Sequence, residues 1–326
     1  MKVSILVPVY GVEQFMEACA VSLFEQTYDD LEYIFVDDCT PDHSIEVLRS
    51  VMERYPKRQQ QVQIIRHDRN RGLGAARATL LHAAQSDFII YADSDDVMAT
   101  DAVEKLCQRQ QETGADIVSG AYRRLYADGR QGEAILPFKG DIDAMLRLML
   151  VQNTIEHHVW GRLIRRSLHT EGGIGFVEGI NMAEDYCVMP RLLYQASSHA
   201  AIDDVVTLYR ENTTGTFFNW LNHRNIQSYL GANHVVGQFL RDHDTARQYV
   251  YPFELGLLNP LYHALRIGLT PKEVNDYCHF PPTTWLLRCC VSLFYHRPTK
   301  KLLRWSYLLL KHDYVKRIVK EVRSKR

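Results

Sequence analysis

Phe88-Ile-Ile-Tyr-Ala-Asp-Ser-Asp-Asp96 runs from five apolar residues straight into three carboxylates. An unbroken apolar run of that length reads as a strand covered on both faces, the kind found in parallel sheets. Working outward, Val3–Val9, Leu31–Val36, Val62–Ile65 and Ile117–Ala121 have the same apolar, β-branched character. Between them Ile45, Leu48, Met52 and Tyr55 recur at helical spacing, and residues 73–84 are rich in Ala and Leu. Strands alternating with helices predict a parallel α/β sheet over the first 120 residues.

Open parallel sheets bind ligands at the carboxyl ends of their strands, so the residues just past each run are read first. Those are Pro8-Val9-Tyr10-Gly11, Asp37-Asp38 and Asp93-Ser94-Asp95-Asp96. Asp93 and Asp95 point the same way from one strand tip and repel each other unless a cation sits between them. A hard divalent ion, Mg²⁺ or Mn²⁺, shared with substrate phosphates suits such a pair. The competing reading is a solvated acidic loop leading into the helix expected over Ala102–Gln111. Asp37-Asp38 either serves a helix opened by Thr40-Pro41 or offers a carboxylate to the ring N–H of uracil or to ribose hydroxyls. No glycine-rich phosphate loop follows the first strand, which argues against a dinucleotide dehydrogenase and a P-loop NTPase and leaves phosphate to metal and Arg.

Further along, Asp128-Gly129 predicts a hairpin or tight turn, and residues 142–150 and 185–194 read as helices. Residues 201–209 read as a strand, and from about 211 onward the pattern is helical and aromatic, interrupted by Pro252, Pro260, Pro271 and Pro281-Pro282. With 326 residues, 46% hydrophobic and 24% charged, the chain is a folded protein and not a disordered, collagenous or disulfide-stapled one. Its seven cysteines include no C-x-x-C pair and imply free thiols in a reducing compartment. A first strand beginning at residue 3 leaves no room for a signal peptide, and no stretch is long enough to span a bilayer, so the expected location is cytoplasmic. Residues 297–326 hold eleven Lys or Arg against Asp313 and Glu321, which leaves the preceding body with about ten net negative charges. A basic tail carrying Trp285, Phe294, Trp305, Leu308 and Leu309 predicts an anionic membrane as the partner of residues 284–326, on the cytoplasmic face, with no nucleic acid expected.

Seven ordered strings, Val3-Ser-Ile-Leu-Val-Pro-Val-Tyr10, Ser22-Leu-Phe-Glu-Gln-Thr27, Val36-Asp-Asp38, Asn70-Arg-Gly-Leu-Gly-Ala-Ala-Arg77, Asp93-Ser-Asp-Asp96, Trp160-Gly-Arg-Leu163 and Glu184-Asp185, closely resemble the family 2 glycosyltransferases over roughly residues 1–210. The resemblance implies the GT-A nucleotide-diphospho-sugar transferase fold, a Rossmann-like, mostly parallel sheet, here with a helical C-terminal extension over 211–326. Within the catalytic domain, 1–120 would bind the nucleotide sugar and 121–210 would form the acceptor side. It also implies that Pro8, Val9 and Tyr10 line the base pocket, Asp38 contacts uracil, Arg77 lies near the diphosphate and Asp93 lies toward the ribose. Asp95 becomes the ligand of Mn²⁺ or Mg²⁺, Asp185 the catalytic base beside Glu184, and Trp160 an aromatic facing acceptor or donor sugar.

An inverting transfer follows, from a UDP-sugar to a hydroxyl of a saccharide or lipid-linked saccharide in surface polysaccharide synthesis. Cys39-Thr40 stands where the family often has Gly-Ser, and Gly11 where Asn is usual. His199, His223 and Thr214 are candidates for an additional metal ligand, whereas His157-His158 diverge, one packing and one solvated. Phe217-Phe218-Asn219-Trp220 either stacks on sugar or fills a helical interface. Two rival functions are a haloacid-dehalogenase-like phosphatase using Asp93 and Asp95, whose motif normally closes the first strand, and a non-catalytic nucleotide-sugar binder.

Overall fold

The computed structural model of the chain describes residues 1–211, 221–278, 285, 288–289 and 300–324. The chain divides into two compact units: residues 1–139, 158–179 and 195–215 form the first, and 140–157, 180–194 and 216–326 the second. Phe217, Phe218 and Trp220 lie outside the described residues, as does Thr214.

The first unit is a single eight-stranded sheet with helices. In chain order it comprises β1 (Val3–Val9), α1 (Glu13–Phe24), β2 (Leu31–Asp37), α2 (Ser44–Arg54), α3 (Pro56–Gln59), β3 (Val62–Arg66), α4 (Leu73–Ala83), β4 (Phe88–Tyr91), β5 (Val97–Met98), α5 (Ala102–Thr113) and β6 (Ile117–Leu125). After an excursion into the second unit it adds β7 (Arg162–Arg165), α7 (Ser167–Thr170) and β8 (His199–Arg210). The strand order is β3-β2-β1-β4-β7-β6-β8-β5. β1, β2, β3 and β4 are mutually parallel. β7 lies antiparallel between β4 and β6, so the five strands expected from sequence all run one way with one short strand reversed among them. Both faces are covered: Val3, Ile5, Val7 and Val9 join a core with Met16, Leu23, Leu48 and Leu106, while α4 packs against β1 and β2 on the other side. That double coverage is why these strands read as continuous apolar runs.

Three local features aim the chain at the carboxyl end of the sheet. Thr40-Pro41 does not open α2, which begins at Ser44; the backbone N–H of Thr40 instead donates to Asp37 Oδ1 at 2.8 Å, a side-chain bond that closes the turn three residues on. Gly129, at φ +82°, makes the hairpin whose strands meet through Tyr122 and Ile135. At Gly120 the β6–β8 register shifts, and an added Cβ there would lie 2.5 Å from a Val206 methyl. Glycine lets β8 pass this closely at Val206, and the pairing resumes beyond the bulge as far as Leu125 and Arg210.

The second unit is helical. α6 (Ile142–Val151) and α8 (Glu184–Gln195) contribute to it with α9 (His223–His243), α10 (Val250–Arg266), α11 (Pro271–Tyr277) and α12 (Lys300–Ser324). Ile226, Leu230, Leu255, Leu258, Leu261, Leu303 and Tyr307 form its core with Val151. Pro260 lies inside α10 and does not interrupt it, contrary to the sequence expectation.

Candidate functional site

β4 carries the chain to an acidic turn. The amide of Ala92 still donates to Leu6 O, extending the ladder by one residue before Asp93-Ser94-Asp95-Asp96 folds back, with Asp96 N on Asp93 O at 3.1 Å. Arg77, buried in α4, donates through Nη2 to Asp93 Oδ1 at 2.7 Å, and its guanidinium lies 5.7 Å from the Phe176 ring centre. On the other side β8 ends at Arg210. Its amide donates to Asp96 Oδ1 at 2.8 Å, its Nε donates to Asp95 O at 2.9 Å, and its guanidinium sits over Phe15. Two guanidinium groups therefore flank one acidic turn.

The charge there is unbalanced in a specific way. Asp96 is only 4% exposed, and its Oδ2 has no hydrogen-bond partner among the described residues. Burial first, then the neighbouring Asp95 and Asp93 charges, pushes the Asp96 carboxyl well above the usual carboxylate range. The same surroundings push the buried Cys19 thiol up, burial again leading. No set of three or more His, Cys, Asp or Glu among the described residues is gathered as a complete metal cage. A turn of mutually repelling carboxylates with one buried orphan oxygen fits an ion that takes one or two carboxylates and fills its remaining positions with phosphate oxygens and water, as Mg²⁺ does.

The neighbouring strand ends are less uniform. Pro8 and Val9 are buried, and Val9 O already accepts the Asp38 amide, so Tyr10, 48% exposed, is the one side chain of the three that faces solvent. Gly11 has φ +68° and Cys39 φ +56°. Asn and Gly both tolerate that left-handed region, which accounts for Gly11 in place of Asn. Cys39, in place of Gly, holds a left-handed conformation that Cys, unlike Gly or Asn, rarely adopts.

Asp38 is the residue whose environment differs most from its reading. It is 3% exposed, and its Oδ1 accepts from His67 Nδ1 at 2.6 Å and from the Arg71 amide at 2.9 Å, while Oδ2 accepts from the Gly72 amide at 2.7 Å. His67 Nε2 lies 2.9 Å from Thr79 Oγ1. Because a carboxylate has about four lone-pair sites, one acceptor position, on Oδ2, remains for a ligand. The first job of Asp38 is thus to clasp the loop that opens α4. Arg71, released from that clasp at its side chain, pairs with Glu178 at 2.8 Å.

Trp160 is buried at 7% exposure. It stacks on His158 with ring centres 3.6 Å apart and on Tyr209 at 5.3 Å, with Tyr122 edge-on. His157 meets the edge of Tyr186. Both histidines are half-buried, so the expectation of one packed and one solvated imidazole is corrected: each is engaged with an aromatic ring. His199 is also structural: its Nε2 lies 3.0 Å from Ser119 Oγ at the opposite end of β8 from Arg210. Burial and, secondarily, Arg162 push its imidazole down to about 3, leaving it neutral. His223 is exposed in the first turn of α9.

In the second unit, Ala183 at φ +63° turns the chain into α8, whose first turn is Glu184-Asp185. Both acids favour a helix N-terminus. Glu184 is 9% exposed and Asp185 half-buried, next to the fully buried Tyr186.

The family described as Glycosyl transferase family 2 has a sequence profile that matches residues 4–172. The chain belongs to that family. Over 218 residues it is 32% identical to an uncharacterized glycosyltransferase, EpsJ, of Bacillus subtilis, a match covering 64% of this chain and 61% of that one. It is 31% identical over 189 residues to the poly(ribitol-phosphate) beta-glucosyltransferase of Bacillus spizizenii, covering 57% of this chain and 28% of the relative. The chain thus spans less than two thirds of either relative. Residues 1–349 of S. aureus TarS, solved with UDP-GlcNAc, share the fold at a TM-score of 0.61 and 15% identity, covering 97% of this chain and 92% of that one.

For this family 2 glycosyltransferase, strand ends point to the acidic turn but not to four side chains: Arg210 beside that turn, and His67, Arg71 and Glu178 near Asp38. Arg71 lay inside a quoted string without being singled out. Arg210 fell one residue past the strand predicted over 201–209. Glu178 and His67 carried no sequence signal, because each gains its meaning from a partner 107 or 29 residues away.

Proposed function

We propose that the chain is an inverting glycosyltransferase that moves a sugar from a UDP-sugar to an acceptor hydroxyl during surface polysaccharide assembly. The observation that carries this reading is the acidic turn after β4, bracketed by Arg77 and Arg210 at the carboxyl end of a parallel sheet that has no phosphate loop. Asp95 would hold Mn²⁺ or Mg²⁺, with Asp93 toward the ribose; when bound, the ion would neutralise charge on the departing diphosphate. Arg77 and Arg210 stabilise the same developing charge from fixed positions, needing no reorganisation as the anomeric bond breaks. Tyr10 would cover the base, and Asp38 would hold the Asn70–Gly72 loop while offering its last acceptor site to the ring N–H of uracil. Asp185 would remove the acceptor proton, with Glu184 beside it. One displacement with one base inverts the anomeric centre. Trp160 would shape the sugar pocket through the aromatic stack behind it.

Poly(ribitol phosphate) as the named acceptor polymer of one relative supports the class of acceptor proposed. The phosphatase alternative is not favoured: Asp93, its would-be nucleophile, is tied to Arg77, and three strands precede the motif. Calorimetry with UDP in Mn²⁺, Mg²⁺ or EDTA tests the reading. Wild type should bind UDP only with the ion, and Asp95→Ala should lose that binding. Equal affinity in the variant, or ion-independent binding by wild type, sinks the assignment.

A further inference from the structure

α12 has two opposite stripes. Leu303, Tyr307, Lys311, Tyr314 and Ile318, at helical spacing, face inward: the Tyr307 hydroxyl donates to Val151 O and Gln152 O at 3.2 Å and Lys311 Nζ donates to Asn153 O at 2.6 Å, while the exposed Glu321 continues the same side and pairs with Arg147. At 100° per residue the opposite stripe is Lys301, Trp305, Leu308, His312, Lys316, Val319 and Arg323, flanked by Leu309 and Lys320. Trp305 is 61%, Leu308 40% and Leu309 65% exposed, a rare concentration of large apolar side chains on a soluble surface. The helix has two acids and neither lies on the central stripe: Glu321, itself exposed, pairs with Arg147 on the opposite side, and Asp313, at the edge near Leu309 and Lys320, is paired with Arg317.

We infer that this outward stripe of α12 docks on an anionic lipid bilayer with the helix lying in the membrane plane. No described helix is long and apolar enough to cross a membrane, so the contact would be peripheral. A row of Trp and Leu beside Lys and Arg, whose one bordering carboxylate, Asp313, is neutralised by Arg317, matches an interface with an apolar interior and an anionic surface. A nucleic acid would meet the charges but leave Leu308 and Leu309 in water. The surface stands independently of the transfer chemistry, because none of its residues belongs to the acidic turn or to the α8 terminus.

Flotation of the full chain with phosphatidylcholine vesicles, with and without phosphatidylglycerol, at low and high salt tests it. Wild type should float only with the anionic vesicles. The variant Lys316→Glu/Lys320→Glu/Arg323→Glu should lose about 100-fold in partitioning at low salt, taking each basic residue as about fivefold. Trp305→Ser/Leu309→Ser should retain weak low-salt binding and lose it at high salt, where the electrostatic part is screened. Thermal melts by circular dichroism should match wild type for both, since every substituted side chain faces outward. UDP affinity without vesicles should also be unchanged, which separates this surface from the donor site. Wild type that stays at the bottom, or variants that float like wild type, overturn the inference. So does self-association or RNA binding that both variants abolish while vesicle binding is absent.

Discussion

Gly120→Ala tests how the fold places Arg210. The new Cβ would sit 2.5 and 2.6 Å from the two Val206 methyls and 3.1 Å from its Cβ. An ordinary contact needs about 3.4 Å, so β8 must retreat by roughly 0.9 Å at Val206. Val206 is 1% exposed and held in the sheet, and overpacking of that kind costs about 1–3 kcal/mol. Four residues later the same strand delivers Arg210 to Asp95 and Asp96, so the retreat also pulls the guanidinium from the acidic turn. Val206→Ala alone empties a buried site and costs about 2 kcal/mol. Combined with Gly120→Ala, the added methyl occupies part of that space, and the pair should couple favourably by about 1–2 kcal/mol. Urea unfolding gives the stability cycle, and calorimetric UDP affinity should fall in Gly120→Ala and recover in the double variant. Strictly additive costs, or a Gly120→Ala protein with unchanged stability and UDP affinity, would refute the close-approach account.

Asp185→Asn keeps shape and removes the proposed proton acceptor, so transfer should drop about 10²–10⁴-fold while donor binding survives; a near-normal rate would refute Asp185 as the base. Asp38→Ala strips partners from His67 and from the Arg71 and Gly72 amides, costing about 1–3 kcal/mol for each group left buried and unpaired, and hydrogen exchange at residues 71–72 should speed up; unchanged exchange would show the clasp to be incidental. His199, held near 3 when folded against 6.5 unfolded, binds fewer protons in the native state between those values, so stability falls as pH drops through that window at about 1.4 kcal/mol per pH unit; His199→Gln should flatten this acid slope, and an unaltered slope would assign it to other groups.

The strands at Val3–Val9 and Phe88–Tyr91 were legible in the sequence because burial on both faces leaves a local mark, a predominantly apolar run, while Leu31–Asp37 and the half-exposed edge strand Val62–Arg66 were legible from their β-branched and aromatic residues. The Asp128-Gly129 turn was legible for the same reason: a left-handed φ selects its residue locally. The acidic turn could be found from its position after a strand alone. Tertiary structure decided what local pattern does not encode. β7, four residues long, reverses direction between β4 and β6, and nothing in Arg162–Arg165 names its neighbours. Asp38 and Asp95 look alike in sequence, yet one is wrapped in His67 and two amides while the other shares a turn with an orphaned buried oxygen. Along α12, apolar residues mark both the face that packs on the helical core and the face left bare. Composition counts side chains, and only packing determines which way each one points.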